Sequence, residues 1–204
     1  MEIVQSQVGR ISRDELFVNG VTKMVLTPEE ILEKANTLIG QETESVPGRY
    51  PVEYEPIRRY CHMVEDDNPL FLDPEYAGST RHGKVVCPPF MIYNFGAPGP
   101  WPMGDAMDPF MQKLPTTPGS SFMVMGNDWE FFKTVKVGDR ISMKNRFVDI
   151  YLKAIRRDPK ARWIVTERIY ANQEGEQVAS WRMTLVAVRS PEEVKAAGDS
   201  REES

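Results

Sequence analysis

The sequence is short of the residues that most often announce a chemistry. It has two cysteines, Cys61 and Cys87, and two histidines, His62 and His82, in 204 residues. Two cysteines this far apart make neither a disulfide framework nor a zinc spacing, and they read as buried reduced thiols of a cytosolic protein. No cluster of ligating residues and no glycine-rich nucleotide loop is present, so no metal or redox cofactor is expected. Positive charge is not in excess: the formal net charge is -5. Nucleic acid, which requires a basic face, is therefore not an expected partner, although a local basic patch could still hold a phosphorylated ligand. No apolar run reaches the ~18 residues of a membrane span. The first residues, MEIVQSQVGRISRDELF, are charged throughout and do not look like a signal peptide, so a cytoplasmic location is expected. Internal repeats are absent.

What is present is one domain's worth of chain, with 41% hydrophobic and 27% charged residues, ordinary for a folded protein. Residues 1–26 read as an N-terminal extension with a short apolar stretch at Val21–Leu26. A helix is predicted from Thr27, with Pro28 at its first position and Glu30 completing a capping box. Ile31, Leu32, Ala35, Leu38 and Ile39 continue at helical spacing, and Gly40 is its stop. Short strands are expected at 42–46 and 50–54 around Pro47-Gly48, then a helix from Glu55 to Val64 with Ile57, Tyr60, Cys61 and Val64 on one face. The polar turn EDDNPLFLDPEYA follows, then a short helix over 75–82. Residues 94–120 are rich in Pro and Gly yet carry Phe95, Trp101, Met103, Met107, Phe110 and Met111, as expected of a flap that packs onto something. From Ser121 to Arg189 four long β-branched and aromatic runs alternate with turns at 136–139, 158–160 and 173–176. The domain over 27–190 is therefore predicted to be α+β, an antiparallel sheet with helices on one face. The tail 191–204 is polar and is expected to be flexible.

The chemistry-bearing segment is Asp66-Asp67-Asn68-Pro69-Leu70-Phe71-Leu72-Asp73, followed by Tyr76-Ala77. It resembles the motif of MaoC-like (R)-specific enoyl-thioester hydratases, in which Gly-Asp-x-Asn-Pro-Ile-His-x-Asp is followed closely by Tyr-Ala. With Gly83 to Pro89, WEFFKTVKVGDRI and the Asn172-Gln173-x-Gly175-Glu176 turn, the resemblance is to the fatty-acid-synthase-like dehydratase domain, the N-terminal half of many MaoC proteins. It covers roughly residues 20–190. It implies a hot-dog fold, an antiparallel sheet wrapped around a central helix, paired with a second hot-dog domain. It implies an acyl thioester of CoA or of acyl-carrier protein as substrate, with no other cofactor.

Matched position by position, Asp66 stands at the family's catalytic aspartate, and Asn68, Pro69, Asp73, Tyr76 and Ala77 agree. Phe71 replaces the catalytic histidine, and Pro89 falls where a glycine amide stabilises the thioester oxyanion. A phenyl ring cannot exchange a proton and proline has no N–H to donate. In two-domain relatives this half often lacks the dyad and supplies acyl-binding space. The resemblance thus implies an acyl-binding, non-catalytic subunit of a 2-enoyl-CoA hydratase or 3-hydroxyacyl-thioester dehydratase, and the length of the flap points to a long or bulky acyl group. Its partner would be a second hot-dog subunit with the full Asp-His motif. Substrate contacts are expected at Asn68, Phe71, His82, Pro89 and Phe90, with Trp101 and Met103 from the flap. Two other readings stay open: a self-sufficient homomeric hydratase using Asp66 with His62 or His82, and a non-enzymatic acyl-thioester-binding or scaffold protein. Individual residues also keep bland alternatives. Asp66 and Asn68 suit a turn, Asp73 suits a helix cap, and the flap residues suit a core lid or an interface. Arg58, Arg59, Arg81 and Lys84 suit either CoA phosphates or plain surface.

Overall fold

A computed structural model describes residues 15–18, 21–24, 26–96, 109–114 and 120–199. Two short strands, β1 (Glu15–Val18) and β2 (Val21–Met24), pair antiparallel with each other. Helix α1 (Pro28–Asn36) starts on the capping box expected at Thr27 and Glu30 and buries Ile31 and Ala35. It stops short of Gly40, which takes a positive φ and whose N–H is accepted by Phe147 O.

The strands expected at 42–46 and 50–54 shrink to β3 (Val46–Pro47) and a single bridge from Glu42 to Arg146. The reason is packing rather than propensity. Gly48 lies so close to the Phe95 carbonyl that a Cβ there would sit 1.8 Å from its oxygen. Helix α2 (Tyr54–Val64) follows, then α3 (Pro69–Leu72) and α4 (Pro74–Ser79). A 3₁₀ turn at Pro89–Met91 runs into α5 (Ile92–Gly96), and α6 (Pro109–Lys113) comes before the long strands.

These strands are β4 (Ser121–Phe131), β5 (Ser142–Leu152), β6 (Arg162–Ala171) and β7 (Gln177–Val188). With β3 they form an antiparallel sheet in the order β3-β5-β6-β7-β4. The four runs read from the sequence are all present, and the α+β prediction holds. One face of the sheet is covered by helices. The 3₁₀ turn and α5 bury Met91, Ile92 and Phe95 in a cluster with Ile141, Tyr170, Val178 and Ala179. A second cluster joins Ala35 of α1 and Phe110 of α6 to Phe147, Ile150, Ile164 and Leu185.

Phe95 and Phe110, counted with the flap, are thus core residues, and Met111 packs on the second cluster. Trp101, Met103 and Met107 lie outside the described residues. Part of the polar tail is ordered by local chemistry the composition conceals. Ser190 and Glu193 form a capping box, α7 (Pro191–Ala196) follows, and Val194 is buried. Beneath it the buried Arg189 guanidinium holds Asp158 at 2.6 Å and Asp199 at 2.9 Å. Among the described residues no helix is long and apolar enough to cross a membrane.

Candidate functional site

The motif segment is built as a series of caps. Helix α2 ends on Glu65, which takes the left-handed conformation at φ 57°. That reversal lets the Asp66 N–H reach Cys61 O at 2.9 Å. The Asp66 carboxylate then accepts the Asn68 N–H at 3.0 Å, and Asn68 Oδ1 accepts the Leu70 N–H at 3.0 Å, capping α3. Asp73 Oδ1 accepts the N–H groups of Glu75 and Tyr76 and caps α4. The cap expected at Asp73 is therefore in place, and the motif's other polar residues have structural work as well. An Asn-Pro or Asp-Pro step is a good helix entry because proline's absent N–H is one the first turn would leave unbonded anyway.

Phe71 and Leu72 turn into the apolar cluster under α2, and Tyr54 Oη donates to Leu72 O at 2.6 Å. Neither histidine is hydrogen-bonded to Asp66. His62 is exposed on α2, and His82 sits half-buried in a turn with its N–H donating to Thr80 Oγ1 and its ring 3.5 Å from Arg81 Nε. Arg58 and Arg59 both close on Glu55 at 2.8 and 2.9 Å, and they pull its carboxyl down to about 2. Two of the four bases considered for CoA phosphates thus have a local partner.

Pro89 and Phe90 occupy a different environment. Val86 N–H donates to Leu70 O, which hangs the next segment beside the motif. Cys87 N–H then bonds Val135 O, and Val137 N–H bonds Val85 O. A groove of about 200 Å³ opens beside this ladder, lined by Val86, Cys87, Pro89, Ile92, Phe131, Phe132, Lys133, Thr134 and Val135. Its walls are mostly apolar, and no backbone N–H can come from Pro89. Both thiols are buried and free, as expected. Burial pushes both up, and the nearby Asp66 charge adds to the effect on Cys61, so neither is a nucleophile at neutral pH.

Phe90 is 60% exposed and stands edge-on to Trp129 and Phe131 at 5.8 and 6.0 Å. It sits beside β4, an edge strand that leaves Phe122, Met123, Val124, Met125 and Phe131 exposed. Of the nominated residues that are described, only Pro89 lines the groove, with Phe90 at its side. Asn68, Phe71 and His82 do not. The groove's own Phe131, Phe132 and Ile92 were not nominated. The one signal for the two phenylalanines was the aromatic run WEFF at a predicted strand end. Among the described residues no group of three His, Cys, Asp or Glu could hold a metal ion.

Comparison with known proteins agrees with this geometry. The family model described as FAS1-like, dehydratase domain region matches residues 37–181. A probable enoyl-CoA hydratase alpha subunit of Thermomonospora curvata is 29% identical over 148 residues. That stretch is 70% of this chain and 46% of the relative, so the chain spans about half of the relative's length. The ChsH1-ChsH2 complex from Mycobacterium tuberculosis contains a chain similar at a TM-score of 0.64 and 17% identity, covering 79% of this chain and 97% of that one. The truncated HadBC (3R-hydroxyacyl-ACP dehydratase) complex of the same organism gives 0.55 and 18%, covering 73% of this chain and 96% of that one. At such identities the structural likenesses show the fold, and it is the hot-dog fold expected from the sequence.

Proposed function

Because the chain belongs to the FAS1-like dehydratase-region family of MaoC-like hot-dog proteins, we propose that it is the acyl-binding, non-catalytic subunit of a heteromeric 2-enoyl-CoA hydratase or 3-hydroxyacyl-thioester dehydratase. A second hot-dog subunit, with the complete Asp-His pair, supplies the acid–base chemistry. The observation that carries this is the state of the motif. Phe71 packs half-buried against the core cluster, the Asp66 carboxylate holds the Asn68 N–H, and Pro89 has no N–H at the groove.

Water addition to an enoyl thioester needs a base on the water, an acid at the α-carbon and a donor to the enolate oxygen. General acid–base groups contribute about 10²–10⁴ in rate, and an oxyanion donor about 10²–10³. Phe71 and Pro89 supply neither the acid–base partner nor the oxyanion donor, and the Asp66 carboxylate is left without its histidine. What the chain offers is the apolar groove beside Pro89, suited to an acyl chain, and an exposed edge strand suited to a second sheet. An unpaired apolar edge of this length is a liability unless another strand covers it. The heteromeric character of the ChsH1-ChsH2 and HadBC complexes supports that arrangement. The substrate is a thioester of CoA or acyl-carrier protein, with no other cofactor.

The test is co-expression with a dyad-bearing hot-dog subunit, followed by native mass and an enoyl-CoA hydration assay. Turnover by the pair and none by this chain alone is expected. Rapid hydration by the chain alone would overturn the assignment. Ligand binding with no turnover in any pairing would make it a scaffold instead.

A further inference from the structure

The helix-covered face of the sheet is apolar toward both ends and polar between them. Asn145, Arg168, Trp181 and Trp129 lie side by side across β5, β6, β7 and β4, joined by the pairings Asn145↔Arg168, Arg168↔Trp181 and Trp129↔Trp181. Tyr170 is two residues along β6 from Arg168 and therefore on the same face. This row separates the two apolar clusters; its Trp181 indole N–H donates to Asn127 Oδ1, while buried polar atoms of Asn145 and Tyr170 are uncommitted. Tyr170 is fully buried and its hydroxyl has no partner. Asn145 is 5% exposed, and its Oδ1 has none either. A buried polar atom left without a partner is costly, and folded proteins keep few of them.

Arg168 is only half-buried and so forms the mouth of the row. Its guanidinium sits 4.9 Å from the Trp181 ring centre and 5.8 Å from that of Tyr93 on α5. No carboxylate among the described residues pairs with it, whereas Arg146 and Arg182 on neighbouring strand positions each reach one. Burial pushes the Tyr170 phenol up to about 12 while the Arg168 charge pulls against it. The two side chains are thus neighbours, though no hydrogen bond of good geometry joins them. A continuous aromatic floor links this row to the groove. Phe131, which lines the groove, stacks on Trp129 at 5.6 Å, Trp129 stacks on Trp181 at 5.2 Å, and Trp181 lies under Arg168.

We propose that Arg168, backed by Tyr170 and Asn145, binds a carboxylate at the far end of the acyl group, so that the chain prefers ω-carboxyacyl thioesters to plain acyl thioesters. This rests on the acyl-binding role proposed above. The thioester end occupies the groove beside Pro89, the acyl chain runs along the Phe131–Trp129–Trp181 floor, and the distal carboxylate meets the guanidinium. Tyr170 donates its hydroxyl to the same carboxylate, and Asn145 donates through its amide nitrogen after a flip of the side chain.

Because Trp181 underlies Arg168, tryptophan fluorescence of the full chain reads occupancy directly. The probes are matched pairs: hexanoyl- against adipoyl-CoA, octanoyl- against suberoyl-CoA, and decanoyl- against sebacoyl-CoA. A hydrogen bond to a charged group contributes about 1.5–3 kcal/mol, which corresponds to a preference of about tenfold or more for the ω-carboxyl member of at least one pair. Arg168→Met, which keeps an apolar stem on the ring faces, should abolish that preference and leave the plain acyl-CoA affinity unchanged. Tyr170→Phe, which keeps the packing, should reduce it several-fold. Equal affinity within every pair, or an Arg168→Met variant that weakens both members alike, overturns this site while leaving acyl binding intact. Binding of neither class overturns the acyl-binding role and this site with it.

Discussion

The motif turn and strand β4 handle their bonding groups in opposite ways. In the motif turn three polar side chains are answered locally: Asp66 by the Asn68 N–H, Asn68 by that of Leu70, and Asp73 by those of Glu75 and Tyr76. Along β4 the chain leaves Val124 57% and Met125 52% exposed, and among the described residues no strand pairs with its outer edge. A segment whose carboxylates brace their own turn is finished as a structure, and an open apolar edge is not. The difference teaches that this chain's descent from a hydratase survives as architecture. The parts that face outward are those suited to holding an acyl group and a second subunit.

The largest effect should come from attempting to reopen the closed region. The chain alone should hydrate crotonyl-CoA on the order of 10⁴-fold or more slowly than the assembled pair, because an acid–base group and an oxyanion donor are both missing. Phe71→His should not close that gap, since the new ring faces the core and Pro89 still gives no N–H. A Phe71→His chain that turns over at a rate near that of the pair would break the comparison at its root.

Next in size is the buried pair under α7, a closed polar device at the opposite end of the sheet. Asp158→Ala strands the Arg189 guanidinium in the core and should cost about 3 kcal/mol in urea unfolding, the low end of the range because Asp199 still reaches it. Its pH dependence has a definite sign. Burial pushes the Asp158 carboxyl up, but hydrogen bonds from Arg189 and from the Lys160 N–H outweigh this and hold it below the usual aspartate value. The stability it contributes is therefore complete above an unfolded pKa of about 3.9 and drains away as pH falls through the folded value. Asp158→Asn should flatten that acid limb, and an unchanged limb would assign acid unfolding to other carboxylates.

The open region should respond in assembly rather than in folding. Val124→Lys, at an exposed position of β4, should leave the unfolding midpoint nearly unchanged and weaken subunit association about tenfold or more, read by analytical ultracentrifugation of the co-expressed pair. A stability loss with association intact would place the partner elsewhere. The smallest expected effects are at Asp66. Asp66→Asn keeps an acceptor for the Asn68 N–H and should change stability by less than about 0.5 kcal/mol, while Asp66→Ala should cost about 1 kcal/mol. Neither should alter turnover by the assembled pair. If Asp66→Asn lowers it sharply, the aspartate still acts on substrate or water.

Much of this was legible along the chain. The Thr27–Glu30 box, the cap at Asp73 and the four long strands are local or periodic signals, and all are present. The Ser190–Glu193 box was equally local, but the polar composition of the tail masked it. The strands expected at 42–46 and 50–54 were not decided locally. Hydrogen bonds from Gly48 and Val52 to Ile141 and Asp139, and the contact between Gly48 and Phe95, shaped that segment. The groove was only half visible, because Pro89 was named by its place in the motif while Phe131 and Phe132 come from forty residues farther on.

The sequence by itself therefore determined the family, the α+β class and the loss of the histidine and the oxyanion amide at Phe71 and Pro89. Those are properties of residue type, and no folding can give a phenyl ring a proton or a proline an N–H. Only the tertiary structure decided that Asp66 braces its own turn, that β4 is an edge strand among the described residues, and that Asn145 and Tyr170 carry unpartnered buried polar atoms on the face they share with Arg168. Those are matters of register and burial. They follow from which strands lie next to one another and which side chains the helices cover, and that is settled by contacts between residues distant along the chain.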